Sequence, residues 1–381
     1  MALSSATGAA TFDRTANTYQ LDLSTQLAEV IRPDNEAFLS RIGTNGFVAS
    51  QRTHYWAEDE LNPNTDTVAE AVDDSETEID VTNGSRFKVG TTFRFNEKGK
   101  TEVCQVTAVS GNTLTVTRGY GSTSAEAHAD GATIEIIAHP KQEGWKPSQE
   151  DWTQERTSQY NYSQIFGRGI TLSRTRQLVD QTVIASELAH QSAYRLKEIA
   201  RELDDTIING IRSASAPGDS SYGTMGGLWE FVSAAGGNSI TTVEDLTENV
   251  VNELYKKVWD DCGGVEQGFI LVGGALKRVI STFDQAYRRM DFDSRAAGFV
   301  VERFLTDLGA ELTVIVDPKM MDDLMIIGDL TKVKVGPLQG DNMRLEELAK
   351  TGRTLEYMVT GQYTLEVRNA LKCFGVHNNL S

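Results

Sequence analysis

The sequence predicts an α+β chain made of several parts, and three stretches carry that expectation. Val183 to Asn209 has the apolar spacing of one long amphipathic helix. Residues 68–138 read as short strands broken by turn signals. Residues 240–338 alternate helical and strand patterns, which makes a mixed sheet with helices against it.

The long helix organises the rest. Ile184, Leu188, Leu196, Ile199, Leu203 and Ile207 form an apolar stripe, interrupted only by the small Ser192. Glu187, Arg195, Lys197, Glu198, Arg201, Glu202 and Asp205 occupy the other faces. No Pro or Gly lies inside, and Gly210 stands where a stop is expected. The helix would be roughly 40 Å long. One narrow stripe suits a helix lying across a thin layer, with Leu196 near its middle.

Composition narrows the class. With 381 residues the chain has room for two or three compact units. A hydrophobic fraction of 39% and a mean hydropathy of -0.33 fit a folded chain with ample core. No run of about 18 apolar residues is present, so no membrane span is expected. The opening MALSSATGAATFDRTANTYQLDLS lacks the basic and apolar regions of a secretory signal. Cys104, Cys262 and Cys373 are scattered without metal-ligand spacing and are expected as reduced thiols. The net charge of -18 argues against a dedicated nucleic-acid binder, which needs clustered Lys and Arg against phosphate. It fits either simple solubility or a surface that faces nucleic acid without gripping it.

In chain order, residues 1–50 read as a loose arm with isolated apolar anchors. Leu21–Ile31 offers a short helix that Pro33 ends, and Phe38, Leu39 and Ile42 mark a second turn. Residues 51–67 and 139–172 form a matched pair of stems. The first carries Trp56; the second carries Trp145, Trp152, Tyr160, Tyr162 and Phe166 in a β-prone run. Between them lie about five or six strands with turns at Asn83-Gly84, Ser110-Gly111-Asn112 and Asp130-Gly131, a small β-barrel or sandwich inserted into the loop. After the helix, SASAPGDSSYGTMGGLWEFVSAAGGN reads as a mobile connector. Thr241 or Thr242 can cap a helix running to Cys262, with a capping box at Thr242–Asp245. GFILV, LTVIVDP and DDLMIIGD are buried strands, and ALKRVISTFDQAYRRM is a helix. The tail alternates on both sides of Gly361-Gln362 and reads as a hairpin.

The sequence carries no signature of active-site chemistry. Five His are isolated in sequence, and no HExxH, GxSxG, CxxC or Walker pattern occurs. Gly223, Gly226 and Gly227 lack the GK[ST] of a phosphate loop, and Asp291 and Asp293 lack further metal ligands. No catalytic, metal-binding or cofactor-binding residue is predicted, and no cofactor.

The order of parts resembles one family, the major capsid proteins of tailed double-stranded DNA phages with the Hong Kong 97 fold. IRPDNEAFLSRIG, THYWAEDEL, SQYNYSQIFGRGITLSRT and LAKTGRTLEYMVTGQYTLEVRN carry the local resemblance. It implies an N-arm (1–50), E-loop stems (51–67 and 139–172), a P-domain with the long helix as spine (173–239), an A-domain (240–338) and C-terminal strands returning to the P-domain (339–381). The block at 68–138 departs from the minimal fold as an added β domain on the E-loop. The implied function is structural: hexamers and pentamers of an icosahedral shell, enclosing DNA without sequence-specific binding, with no enzyme activity and no membrane. Implied partners are further copies, a portal, a decoration protein and a separate scaffolding protein; assembly would occur in the bacterial cytoplasm. An arm and a projecting loop cannot bury their own apolar residues, so neighbours are expected to cover Trp56, Tyr160, Tyr162 and Phe166. A non-viral encapsulating shell, a tail or baseplate protein, and an enzyme with a site assembled from distant residues are the rivals.

Overall fold

A computed structural model describes residues 37–146, 156–175, 186–214, 222–234, 236–283, 303–349, 352 and 354–380. Two compact units divide the chain: Met1–Trp56 with Gln159–Ser381, and Ala57–Ser158.

The first described element is the single turn α1 (Leu39–Ile42), with Phe38 and Leu39 buried. Strand β1 (Thr53–Glu58) follows. The smaller unit then contains β2 (Thr65–Thr67), β3 (Glu78–Asp80), β4 (Thr92–Phe95), β5 (Val103–Ser110), β6 (Thr113–Thr117) and β7 (Thr133–Ala138). These form one sheet in the order β2-β7-β4-β5-β6-β3. It closes on itself just past its two outer strands. The Ala69 N–H donates to the Asp80 carbonyl at 2.8 Å, and the Thr82 N–H to the Thr67 carbonyl at 3.0 Å. The result is a small barrel, and closure leaves no long open edge. Its interior is a self-contained apolar cluster including Ile79, Phe87, Phe93, Phe95, Leu114 and Ile134. One turn depends on glycine: a Cβ on Gly84 would sit 2.0 Å from the Gly111 carbonyl oxygen.

The barrel also buries charge. Arg118 grips Glu102 with Nε and Nη2 at 2.7 and 2.8 Å. His128, stacked on Phe95 at 3.5 Å, places its two ring nitrogens 2.6 Å from Glu97 and 3.1 Å from Glu102. Burial raises the Glu102 carboxyl, but hydrogen bonds from Arg118 and the Glu126 backbone outweigh it and bring it down to about 2.

The larger unit resumes with β8 (Thr157–Tyr162), which pairs with β1, and β9 (Gln164–Ser173). The long helix is α2 (Glu187–Asn209), capped by Ser186, whose hydroxyl accepts from the Ala189 N–H. It ends at Gly210 for a packing reason. A Cβ there would sit 2.4 Å from the Thr206 carbonyl and 2.6 Å from that of Met225, and one on Gly227 would sit 2.5 Å from the Gly210 nitrogen. These glycines let the next segment close against the helix end. Met225 and Leu228, Phe231 and Val232 of α3 (Leu228–Val232) are therefore core residues, which corrects the expectation of a mobile connector. Residues 215–221 lie outside the described residues.

Then come β10 (Asn238–Ile240) and α4 (Glu248–Cys262). The cap of α4 is Thr247, accepting from the Val250 N–H, and not Thr242. Thr242 bonds Glu244, which in turn lies 2.8 Å from His377, so that stretch ties to the C-terminal strand instead. After β11 (Gly268–Val272), α5 (Gly274–Ile280) is shorter than expected; residues 284–302, with Asp291 and Asp293, lie outside the described residues. The remaining elements are β12 (Arg303–Leu305), β13 (Glu311–Val316), β14 (Leu324–Asp329), β15 (Val333–Pro337), β16 (Arg344–Glu347), β17 (Thr354–Val367), α6 (Ala370–Cys373) and β18 (Gly375–Asn378).

Two sheets result. The first has the order β10-β18-β14-β11-β13-β12, with β11 parallel to β13 and antiparallel to β14. Its central strands β11 and β14 are buried on both faces, which is why they read as continuous apolar runs. Ile270, Val272, Met325 and Ile327 meet α4 through Val250, Val251 and Leu254. Phe269, Leu271, Leu324 and Ile326 share a core with Ile199, Leu203 and Ile207 of α2. In the second sheet β17 is central, with β9 along one edge and β15 and β16 along the other. The predicted hairpin at Gly361-Gln362 is not there: β17 is a single 14-residue strand. Its pairing with β9 runs unbroken from Thr354↔Ser173 to Tyr363↔Gln164. Gly361 serves close approach, since a Cβ there would meet the Met343 backbone nitrogen at 3.0 Å.

Cys262 and Cys373 form a disulfide, Cα–Cα 5.2 Å, which corrects the expectation of free thiols. The end of α4 packs on α6, and a separation of 111 residues hid that proximity.

Candidate assembly surface

The stripe on α2 is only partly a core stripe. Ile199, Leu203 and Ile207 are buried, joined by Ile208, and Leu188 packs half-buried against the same cluster. Leu196 is a correction: it is 44% exposed. Periodicity sets a residue's angle around the helix axis. It does not set how far along the axis the covering layer reaches. β9 supplies Phe166, Ile170 and Leu172 to the same core as the C-terminal half of α2, and its Arg168 reaches Glu202 at 2.5 Å. Ile184 lies outside the described residues.

Trp56 and Phe166 need no neighbour. They are 7% and 1% exposed, with the Trp56 ring 5.7 Å from Phe231 and Phe166 6.4 Å from Tyr363. The tyrosines differ. Tyr55 is 63% exposed and its ring lies 5.8 Å from Tyr160, which lies 5.5 Å from Tyr162; both of the latter are half-buried. The Arg212 guanidinium sits 4.8 Å from the Tyr160 ring and 5.1 Å from Phe231. Glu230 holds it at 2.9 Å, and it donates to the Tyr160 carbonyl at 2.9 Å. Exposed tyrosine beside an ordered arginine is the composition of interface hot spots.

Buried polar groups position this patch. The Asn161 side chain, fully buried, donates to the carbonyls of Gly226 and Leu365 and accepts from the N–H of Gly226 and Tyr162, all within 2.8–3.0 Å. It clamps β8 to β17 and to the turn before α3. Glu366, 2.9 Å from His54 and paired with Arg368, does the same for β1. Burial pushes its carboxyl up, but hydrogen bonds with His54 and Arg368 hold it below the usual range. Sequence reading missed Asn161, Arg212 and Glu366. The alternation through Tyr363, Leu365 and Val367 would turn Glu366 to the opposite face, so no local signal marked its burial.

In the smaller unit, Trp145 is 45% exposed with the Lys141 ammonium 4.9 Å from its ring centre. Trp152 lies outside the described residues. Among the described residues, no group of three His, Cys, Asp or Glu converges as metal ligands would, and no described helix is long and apolar enough to cross a membrane.

The comparisons with known proteins bear on the whole chain. A model of the family described as SU10 major capsid protein matches residues 6–381. No curated protein matches the chain. Among solved structures it is similar to the capsid of a native GTA particle at 12% identity, with TM-score 0.53 over 100% of both chains. It is similar also to a chain of Microbacterium phage Oxtober96 at 12% identity, covering 97% of this chain and 99% of that one, TM-score 0.51. The capsid of an empty GTA particle matches over 100% of both chains at 12% identity, TM-score 0.50. At such identities these likenesses concern the fold, which is the Hong Kong 97-like fold.

Proposed function

The chain belongs to the SU10 major capsid protein family, and from that premise we propose that its copies close into hexamers and pentamers of an icosahedral shell around double-stranded DNA. It is a phage major capsid protein, a structural protein of the virion shell. The family match over residues 6–381 carries the reading. In it, α2 is the spine of a P-domain, and residues 240–338 are an A-domain. Residues 51–67 and 139–172 are the stems of an E-loop bearing the barrel as an insertion, and residues 1–50 are an arm reaching other copies. The Tyr55–Tyr160–Arg212 patch supports a contact between copies, since a shell subunit must bury such groups repeatedly against its neighbours. The charge of -18 suits a container from which DNA must leave. A separate scaffolding protein, a portal and a decoration protein are the further partners, and assembly takes place in the bacterial cytoplasm. Negative-stain imaging of the purified, concentrated protein tests this. Closed shells or ring-shaped capsomers are expected; open tubes or dispersed monomers at all concentrations would overturn it.

A further inference from the structure

The segment that leads into the fold is tied to a buried aspartate. Phe38 and Leu39 sit in the main core, with the Phe38 ring 5.4 Å from Phe269. The Leu39 N–H donates to Asp204 Oδ1 at 2.7 Å. Asp204, on α2, is fully buried, and its Oδ2 accepts from Lys319 Nζ at 2.6 Å. Asp317, just past β13, is also fully buried. Its Oδ1 accepts from the Lys319 backbone N–H at 2.9 Å, while its buried Oδ2 meets no donor among the described residues.

Besides the Lys319 N–H, the Asp204 carboxyl acts on the Asp317 carboxyl through a side-chain hydrogen bond. Ionised carboxylates only accept, so a bond between the two requires a proton on one of them. That proton would also satisfy the orphaned Oδ2. Burial first, and then Asp204, push the Asp317 carboxyl up to about 6. One ammonium, Lys319, balances one of the two carboxylates. On the adjoining turns Arg41, Asp205, Asp322 and Asp323 are exposed and Lys277 on α5 is half-buried. Exposed charges are screened and do not replace the missing balance.

We propose that Asp204, Asp317 and Lys319 form a proton-gated clasp on the N-terminal segment. The singly protonated pair balances the lysine and keeps Asp204 on the Leu39 amide. Loss of the proton leaves two buried carboxylates facing one ammonium, and the clasp loosens. Because the Asp317 value is raised above its ordinary 3.8, the folded chain holds an extra proton between 3.8 and about 6. The clasp is therefore strongest at the acid end of that window and declines as pH rises through it.

Hydrogen exchange of the full-length protein at pH 5 and pH 8 tests this, after correction for intrinsic exchange. The readout is protection of peptides covering residues 37–43 relative to residues 268–272. In the wild type that ratio is expected to fall at least tenfold between pH 5 and pH 8. Asp317→Asn, whose amide donates to Asp204 without titrating, should hold the ratio flat and high. Asp204→Asn should lower protection of 37–43 at both pH values. A flat wild-type ratio, or an undiminished slope in Asp317→Asn, would overturn the clasp. If Asp317→Asn does not fold, the wild-type profile alone decides.

Discussion

Truncating two leucines of the same helix separates what its stripe buries from what it exposes. Leu203 is 2% exposed and lies between Ile199 and Ile207 in the main core. Leu203→Ala deletes three buried carbon atoms and leaves a cavity that a rigid sheet on one side cannot fill. The cost should be about 2–5 kcal/mol. Leu196 is 44% exposed, so Leu196→Ala gives up only part of a side chain's burial and opens no closed void. Its cost should be about 0.5–1 kcal/mol. At roughly 2–4 °C per kcal/mol for a unit of this size, about 3 kcal/mol lowers the melting temperature by about 6–12 °C, while Leu196→Ala moves it by only about 1–4 °C. The assay is calorimetry of the unassembled protein, with near-UV circular dichroism as a second probe. The stronger substitution follows the same logic: Leu203→Asp should prevent folding, whereas Leu196→Asp should leave a folded subunit. Equal losses at the two positions would refute the assignment of the core-facing segment of α2.

Four further outcomes are expected. Cys373→Ser should lower stability by about 2–5 kcal/mol, because the bond closes a long loop in the unfolded chain; identical melts of wild type with and without reductant would contradict a formed bond. A fragment of residues 57–158 should melt cooperatively, since its apolar cluster is complete within itself, and Arg118→Met should destabilise it by about 3–5 kcal/mol by leaving Glu102 buried without its guanidinium. The same fragment should lose stability on acidification: Glu102 is depressed from 4.5 to about 2, so its contribution is full above 4.5 and is lost as pH falls towards 2. A melt independent of pH across that window would show that the Glu102–Arg118 pair contributes nothing.

The departures from expectation have particular causes. Gly361-Gln362 looks like a turn because glycine punctuates alternation, yet here it lets β16's approach come close while β17 runs on. Thr242 has the spacing of a capping box, but its partner Glu244 is engaged with His377 across 133 residues, and Thr247 takes the cap. The connector after α2 is rich in small residues, which signals looseness in isolation. In the fold, smallness at Gly210 and Gly227 permits contact, and contact makes order.

Local pattern alone determined the long helix, the short strands of the barrel, the doubly buried strands of the mixed sheet, and the α+β class. Each depends on interactions within about a turn or a strand length, so period and punctuation suffice. The negative charge and the lack of catalytic motifs were equally legible, because both are properties of composition. Only the tertiary structure decided which part of the helix stripe is covered, which cysteines meet, and where Asp204 and Asp317 share a buried site. The disulfide and the acid pair join groups more than a hundred residues apart, and the stripe is covered by strands from other parts of the chain; periodicity gives a direction around an element without saying what stands opposite it.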